Sequence, residues 1–181
     1  LERRGLSPRI VIPLRNPLEV ARSLEKRDAM PLEKALLLWL RHCLEAEAAT
    51  RHLPRSFQRY DALLRDWRGV VSGVARDLGL QWPTPEERAA AEIDSFLTPD
   101  LHHNQQAEHD RLLGKQVAGW IVEAYECLLA LTLAEGEDGE YLKRLDRVRN
   151  AFDRAVPFLD AVFAQPGAEA VSLAVDVKSL R

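Results

Sequence analysis

The sequence predicts a helix-rich α/β chain that ends in a helical hairpin, on three observations. A continuous apolar run, Arg9 to Leu14, stops abruptly at Arg15-Asn16-Pro17. A second short strand pattern, Ser56 to Tyr60, follows two helical patterns. Beyond residue 105 the apolar residues recur at helical spacing over two long stretches joined by a short polar link.

Each element follows from local chemistry. Arg-Ile-Val-Ile-Pro-Leu, residues 9–14, has the continuous apolar character of a strand buried on both faces, as in a parallel sheet. Asn16 suits a helix N-cap and Pro17 the first helical position. Val20 and Leu24 then mark the apolar face of a helix to about Arg27. From Pro31 to about Thr50, Leu32, Leu36, Trp39, Leu40 and Cys43 recur at helical spacing, and Leu37 and Leu38 widen the stripe, which predicts a helix buried on most sides. Ser56 to Tyr60 is the second strand, and Asp61 is placed to cap a short helix through Ala62-Leu63-Leu64. A helix from about Trp67 to Leu78 ends at Gly79, the residue suited to a left-handed cap. Trp82 to Pro85 is a loop, with Thr84 capping the next helix and Glu87 completing a capping box.

In the final third, Leu113, Val117, Trp120, Ile121, Ala124, Leu128 and Leu131 share one helix face. Leu142, Leu145, Val148, Phe152, Val156, Leu159 and Phe163 share another, and residues 135–139 link the two as an antiparallel hairpin. Residues 171–177 alternate as a half-buried strand would. The expected organisation is an α/β portion over 1–104, a helical hairpin over 105–166 and a linker or following strand over 167–181.

Composition narrows the function classes. A net charge of −3 gives no broad attraction for nucleic acid or acidic membranes, so an anion site must be local. No apolar run reaches the ~18 residues of a membrane span, and no signal peptide opens the chain. Cys43 and Cys127 sit in apolar helical patterns without metal-like spacing, as buried free thiols of a reducing compartment do. The expectation is a cytoplasmic chain. Because it begins at Leu1 and its single methionine is Met30, it is expected to be a piece of a longer protein.

The stretch Arg15-Asn-Pro-Leu-Glu-Val-Ala-Arg-Ser23 carries the chemistry. Arg15 offers a planar fork of donors suited to phosphate. It leaves a buried strand beside a helix N-terminus with partial positive charge. Ser23 lies seven residues after the cap, two turns on, and faces nearly the same way as Asn16. Closing both on one anion supplies charge-assisted bonds of about 1.5–3 kcal/mol each. Arg15 pairing with Glu19, and Ser23 bonding back into its helix, are the alternatives.

This stretch resembles the 3′-phosphate-binding signature of sulfotransferases that use 3′-phosphoadenosine-5′-phosphosulfate: a strand, Arg-Asp-Pro or Arg-Asn-Pro, then Ser eight residues after the Arg. Phe57-Gln-Arg-Tyr60-Asp-Ala-Leu-Leu64, with the following helix ending Leu78-Gly79, resembles the family's second block. The resemblance covers about residues 9–104 and implies a P-loop nucleotide-kinase-like fold of the bacterial sulfotransferase type, represented by its C-terminal portion. It implies that Arg15 and Ser23 bind the 3′-phosphate and that Tyr60 lies against the adenine. The residue-level alternative for Tyr60 is a core aromatic with its hydroxyl satisfied.

The departures are as informative. The family's first motif, a loop that cradles the 5′-phosphosulfate, is missing from the sequence. Gly114-Lys115 stands in an apolar helical pattern and has His109, not Gly, five residues before Gly114. No catalytic base can be assigned. Relatives often place an Arg near Leu101-His102-His103-Asn104, where His102 could substitute only when protonated. The spacing of His102, His103 and His109 fits no metal site.

The resemblance implies a sulfotransferase fragment that moves a sulfonyl group from 3′-phosphoadenosine-5′-phosphosulfate to a hydroxyl or amine of a small-molecule or carbohydrate acceptor. A second oligomer subunit or a partner domain would complete the sheet, whose open edge otherwise invites pairing. The other reading is a non-catalytic interaction module or a degenerate relative, with the exposed face of the hairpin as its contact surface.

Overall fold

The computed structural model describes residues 7–97, 119–133 and 139–163, with side chains through 158 in the last segment. Among them, β1 (Ile10–Leu14) and β2 (Arg55–Arg59) pair in parallel, in register from Ile10 opposite Arg55 to Leu14 opposite Arg59. The helices are α1 (Pro17–Asp28), α2 (Leu32–Ala49), α3 (Tyr60–Arg65), α4 (Trp67–Leu78), α5 (Glu86–Phe96), α6 (Gly119–Leu131) and α7 (Gly139–Phe163). A helix-rich α/β character is therefore shown. The segments 98–118, 134–138 and 164–181 lie outside the described residues. So do the readings made on them: the His102 loop, Gly114-Lys115, the polar link and the C-terminal strand.

The chain divides into two compact units that interleave along the sequence. The first holds residues up to 15 and from 45 to 106; the second holds 16–44 and 107 onward. The linear division at residue 104 is thus crossed: α1 and most of α2 group with α6 and α7.

In the first unit, β1 is buried on one face, not two. Ile12 and Leu14 are buried while Val11 is 42% exposed. The side bearing Val11 and Pro13 opens into a groove described below. On the same side of the sheet, the Ser56 hydroxyl donates to Asp77 near the end of α4 and accepts from the Gln58 amide. Asp66 caps α4 by accepting from the Gly69 N–H at 2.9 Å. At the other end Gly79 takes φ 59°. The Leu80 N–H reaches the Ala75 carbonyl and the Gly79 N–H reaches that of Arg76, the two bonds of a Schellman stop. Trp67, Val74 and Leu78 are the buried face of α4.

Two expected caps are corrected. Asp61 does not cap α3: Arg59 holds the cap position without a side-chain bond, and Asp61 lies in the first turn as the partner of two arginines. Thr84 does not cap α5 either. Pro85 takes the cap position in extended geometry, α5 begins at Glu86, and no side chain caps it. Thr84 is then one residue too far out for a capping box.

In the second unit, Asn16 caps α1 as expected, its side chain accepting from the Leu18 N–H at 2.9 Å. The buried face of α1 is Pro17, Leu18 and Ala21, displaced from the expected Val20 and Leu24. Within α2, Ala35, Leu36, Trp39, Leu40 and Leu44 are buried, whereas Arg41 and His42 face solvent. Trp39 meets Tyr125 of α6 edge-on at 6.1 Å. The hairpin of α6 and α7 is antiparallel, because Trp120 meets Phe152 while Glu123 and Glu126, further along α6, meet Arg144. Ile121, Ala124, Cys127 and Leu128 face Leu145, Val148 and Phe152 in its core, each large aliphatic contributing about 1.5–3 kcal/mol by burial. Cys43 and Cys127 are free thiols. Burial pushes the Cys43 thiol up to about 12, so its sulfur is deep although the residue as a whole is half-buried.

Candidate functional site

The parallel register places the site. Leu14 pairs with Arg59 at the C-terminal end of both strands, so the next residue on each chain, Arg15 and Tyr60, follow side by side on one face. The Arg15 guanidinium carbon stands 4.8 Å from the Tyr60 ring centroid, within cation–π range. Both residues are half-buried. A guanidinium carries its N–H donors around its edge, where two oxygens of a phosphate can be met bidentately. The ends of parallel strands are also where ligands of open α/β sheets bind.

Beside Tyr60 runs an apolar groove of about 170 Å³, floored by Val11 and Pro13 of β1 and walled by Leu63, Val74 and Trp82. Trp82 is 48% exposed and donates its indole N–H to the Val71 carbonyl at 3.3 Å. The structure therefore joins Arg15, Tyr60 and an apolar slot within one unit. Ser23 is exposed on α1, in the second unit.

The chain matches no family model, no curated protein and no solved structure.

Charge around Tyr60 is organised by Asp61. Its carboxylate accepts two bonds from Arg59, at 2.9 and 2.8 Å, and one from Arg65 at 2.9 Å. Burial alone would raise the Asp61 carboxyl, but the two guanidinium groups together hold it below the usual carboxylate range. Asp61 is thus ionised at neutral pH and has no proton to donate there. Two cations and one anion leave this corner net positive. Among the described residues no three His, Cys, Asp or Glu side chains are grouped as a metal site.

One charged cluster was not apparent from the sequence. Glu47, near the end of α2, is 1% exposed and takes a bidentate pair of bonds from Arg51, both at 2.7 Å. The Arg55 guanidinium, also 1% exposed, reaches the same carboxylate at 3.2 Å and donates to the Glu47 carbonyl and the Thr50 hydroxyl. The helical spacing of Glu47 and Arg51 was the available signal. The reach of Arg55 across the turn was not, because it depends on the path of residues 50–54. The cluster anchors Arg55, the first residue of β2, to the end of α2.

Proposed function

We propose that this chain supplies the nucleotide-gripping portion of a sulfotransferase that uses 3′-phosphoadenosine-5′-phosphosulfate. The observation that carries the reading is Arg15 stacked on Tyr60 at the C-terminal ends of two parallel strands, next to an apolar slot. A cation edge for a phosphate and an aromatic face for a planar base are the two contacts that a nucleoside 3′-phosphate needs. The residues fit that end of the donor: Arg15 meets the phosphate, and Tyr60 lies against the adenine, whose flat apolar ring suits the slot. When bound, the donor supplies an activated sulfonyl group, and the released nucleotide keeps the phosphate that Arg15 holds. The acceptor is a hydroxyl or amine, and the protein is cytoplasmic in this reading.

The residues present stabilise the leaving nucleotide by charge and hydrogen bonding. Calorimetric titration with adenosine 3′,5′-bisphosphate tests this directly. Binding by the native chain, at least about tenfold weaker after Arg15→Ala, is expected from the loss of one charge-assisted contact. Unchanged affinity in Arg15→Ala, with the fold intact by circular dichroism, would remove Arg15 from the site. Absence of binding by the native chain and by a longer chain extended at its N-terminus would end the sulfotransferase reading.

A further inference from the structure

The far side of Trp82 carries a second hollow that the nucleotide reading does not use. A cleft of about 550 Å³ lies between α4, the loop from Trp82 to Pro85, and α5, all within the first unit. Its size falls within the range of about 300–1,000 Å³ typical of small-molecule sites. Val71 and Ala75 of α4 face Ala89 and Ile93 of α5 across it, while the half-exposed Trp82 forms one wall. The polar groups on its lining are few: the hydroxyls of Ser72 and Thr84 and the carboxylate of Glu86.

Charge distinguishes this cleft from a plain apolar hollow. Arg68 is shared between two carboxylates: its guanidinium reaches Asp94 at 2.7 and 3.1 Å, and its Nε lies 3.3 Å from Glu86. Asp94 also accepts the Trp67 indole N–H at 2.7 Å. One cation between two anions leaves a net charge of −1. Asp94 is bound on both oxygens, whereas Glu86 has a single contact to Arg68 and lines the cleft, so the surplus charge is available there. An indole wall adds affinity for a cation over its face.

We infer that the cleft between α4 and α5 is a binding site for a small amphiphilic amine, with its apolar body on Val71, Ala75, Ala89 and Ile93 and its ammonium group between Glu86 and the Trp82 ring. The site lies apart from the Arg15–Tyr60 contact and does not depend on the sulfotransferase reading.

An isosteric series separates charge from apolar burial. Tryptophan emission of the full chain is followed while 4-phenylbutylamine, 4-phenylbutanol or 4-phenylbutyrate is added. The amine should bind about two- to fivefold more tightly than the alcohol, the range of an exposed ion pair, and the butyrate most weakly. Glu86→Gln should erase the amine's advantage and leave the alcohol unchanged. Ala89→Trp, which fills the cleft, should abolish binding of all three, with circular dichroism confirming the fold. Three probes of equal affinity would overturn the inference. So would binding that survives Ala89→Trp in a folded protein, or silence from every probe at millimolar concentration. Adenosine 3′,5′-bisphosphate titrated calorimetrically into amine-free protein reads the other site by itself, so either reading can fail alone, although Trp82 borders both hollows.

Discussion

Replacing Glu47 by alanine would remove a buried carboxylate that Arg51 and Arg55 share at the junction of α2 and β2. Arg55 is 1% exposed, so its guanidinium would stay buried with this carboxylate gone. Arg51 is 29% exposed and could turn toward water, so the penalty falls mainly on Arg55. Leaving one partner of a buried pair uncompensated costs about 3–5 kcal/mol. With a urea slope near ~2 kcal/mol per molar, the unfolding midpoint should fall by about 1.5–2.5 M. Urea unfolding followed by circular dichroism at 222 nm measures this. A control separates charge from packing: Glu47→Met with Arg55→Met removes both charges, keeps apolar volume, and should recover most of the loss, because buried pairs contribute little net stability over a well-packed apolar substitute. A loss under about 1 kcal/mol in Glu47→Ala would refute the reasoning, since the cluster would then be effectively solvated. A double variant as unstable as the two single ones summed would refute it in a different way, by showing that the contribution is packing and not charge.

Asp61 gives a pH-dependent counterpart. Its folded carboxyl is held low by Arg59 and Arg65 against the opposing effect of burial, so the stability it contributes is present above the unfolded carboxylate value and lost as pH falls through the lower folded value. The stability gap between native protein and Asp61→Asn should therefore be constant near neutrality and close below about pH 4. A gap that persists unchanged at lower pH would show that the carboxylate acts by packing alone. Ala29 ends α1 at φ 52°, a left-handed position that costs a residue with a Cβ about 1 kcal/mol. Ala29→Gly should raise the thermal midpoint by a few degrees; a decrease would mean that other contacts of Ala29 outweigh the relief.

Much of the architecture could be read from the chain, for identifiable reasons. The bounds of α4 match the prediction because its start and stop are local: Trp67 follows the Asp66 cap, and Gly79 permits the left-handed stop. The hairpin was legible because its apolar periodicity is long, and Ile121, Ala124, Leu128, Leu145, Val148 and Phe152 are buried as that pattern required. Readings failed where two local options competed. Thr84 and Pro85 are adjacent and either could precede a helix; the proline, which has no N–H to satisfy, took the cap position. Asp61 could bond the backbone or the arginines at positions 59 and 65, and two guanidinium groups outweighed one amide. The grouping of α1 with the hairpin was not legible, because it depends on contacts far apart in sequence. Nor was the contact of Arg15 with Tyr60 predicted, although the signal existed: aligning the two strand patterns in parallel puts the residues that follow them side by side.

That alignment links the buried cluster to the site. In a strand pair a shift of one residue sends every side chain to the opposite face. Arg55 opposite Ile10 is the first pair of the ladder, and Arg15 beside Tyr60 lies one step past the last. Whatever holds Arg55 in place therefore also sets which residue stands beside Arg15. Glu47 holds it from α2 through the carboxylate and the backbone carbonyl, and Phe57 lies 5.1 Å beneath the same guanidinium. Loss of Glu47 should consequently be felt at the Arg15–Tyr60 contact even where the variant remains folded. With the Arg15 guanidinium carbon 4.8 Å from its centroid, the Tyr60 ring should shift the Arg15 side-chain proton resonances upfield, and Tyr60→Leu gives the unshifted reference. Glu47→Ala, observed by nuclear magnetic resonance well below its unfolding midpoint, should move those resonances toward the reference. If they stay at their native positions, the ladder holds its register without the cluster, and Glu47 stabilises the fold without setting the geometry of the site.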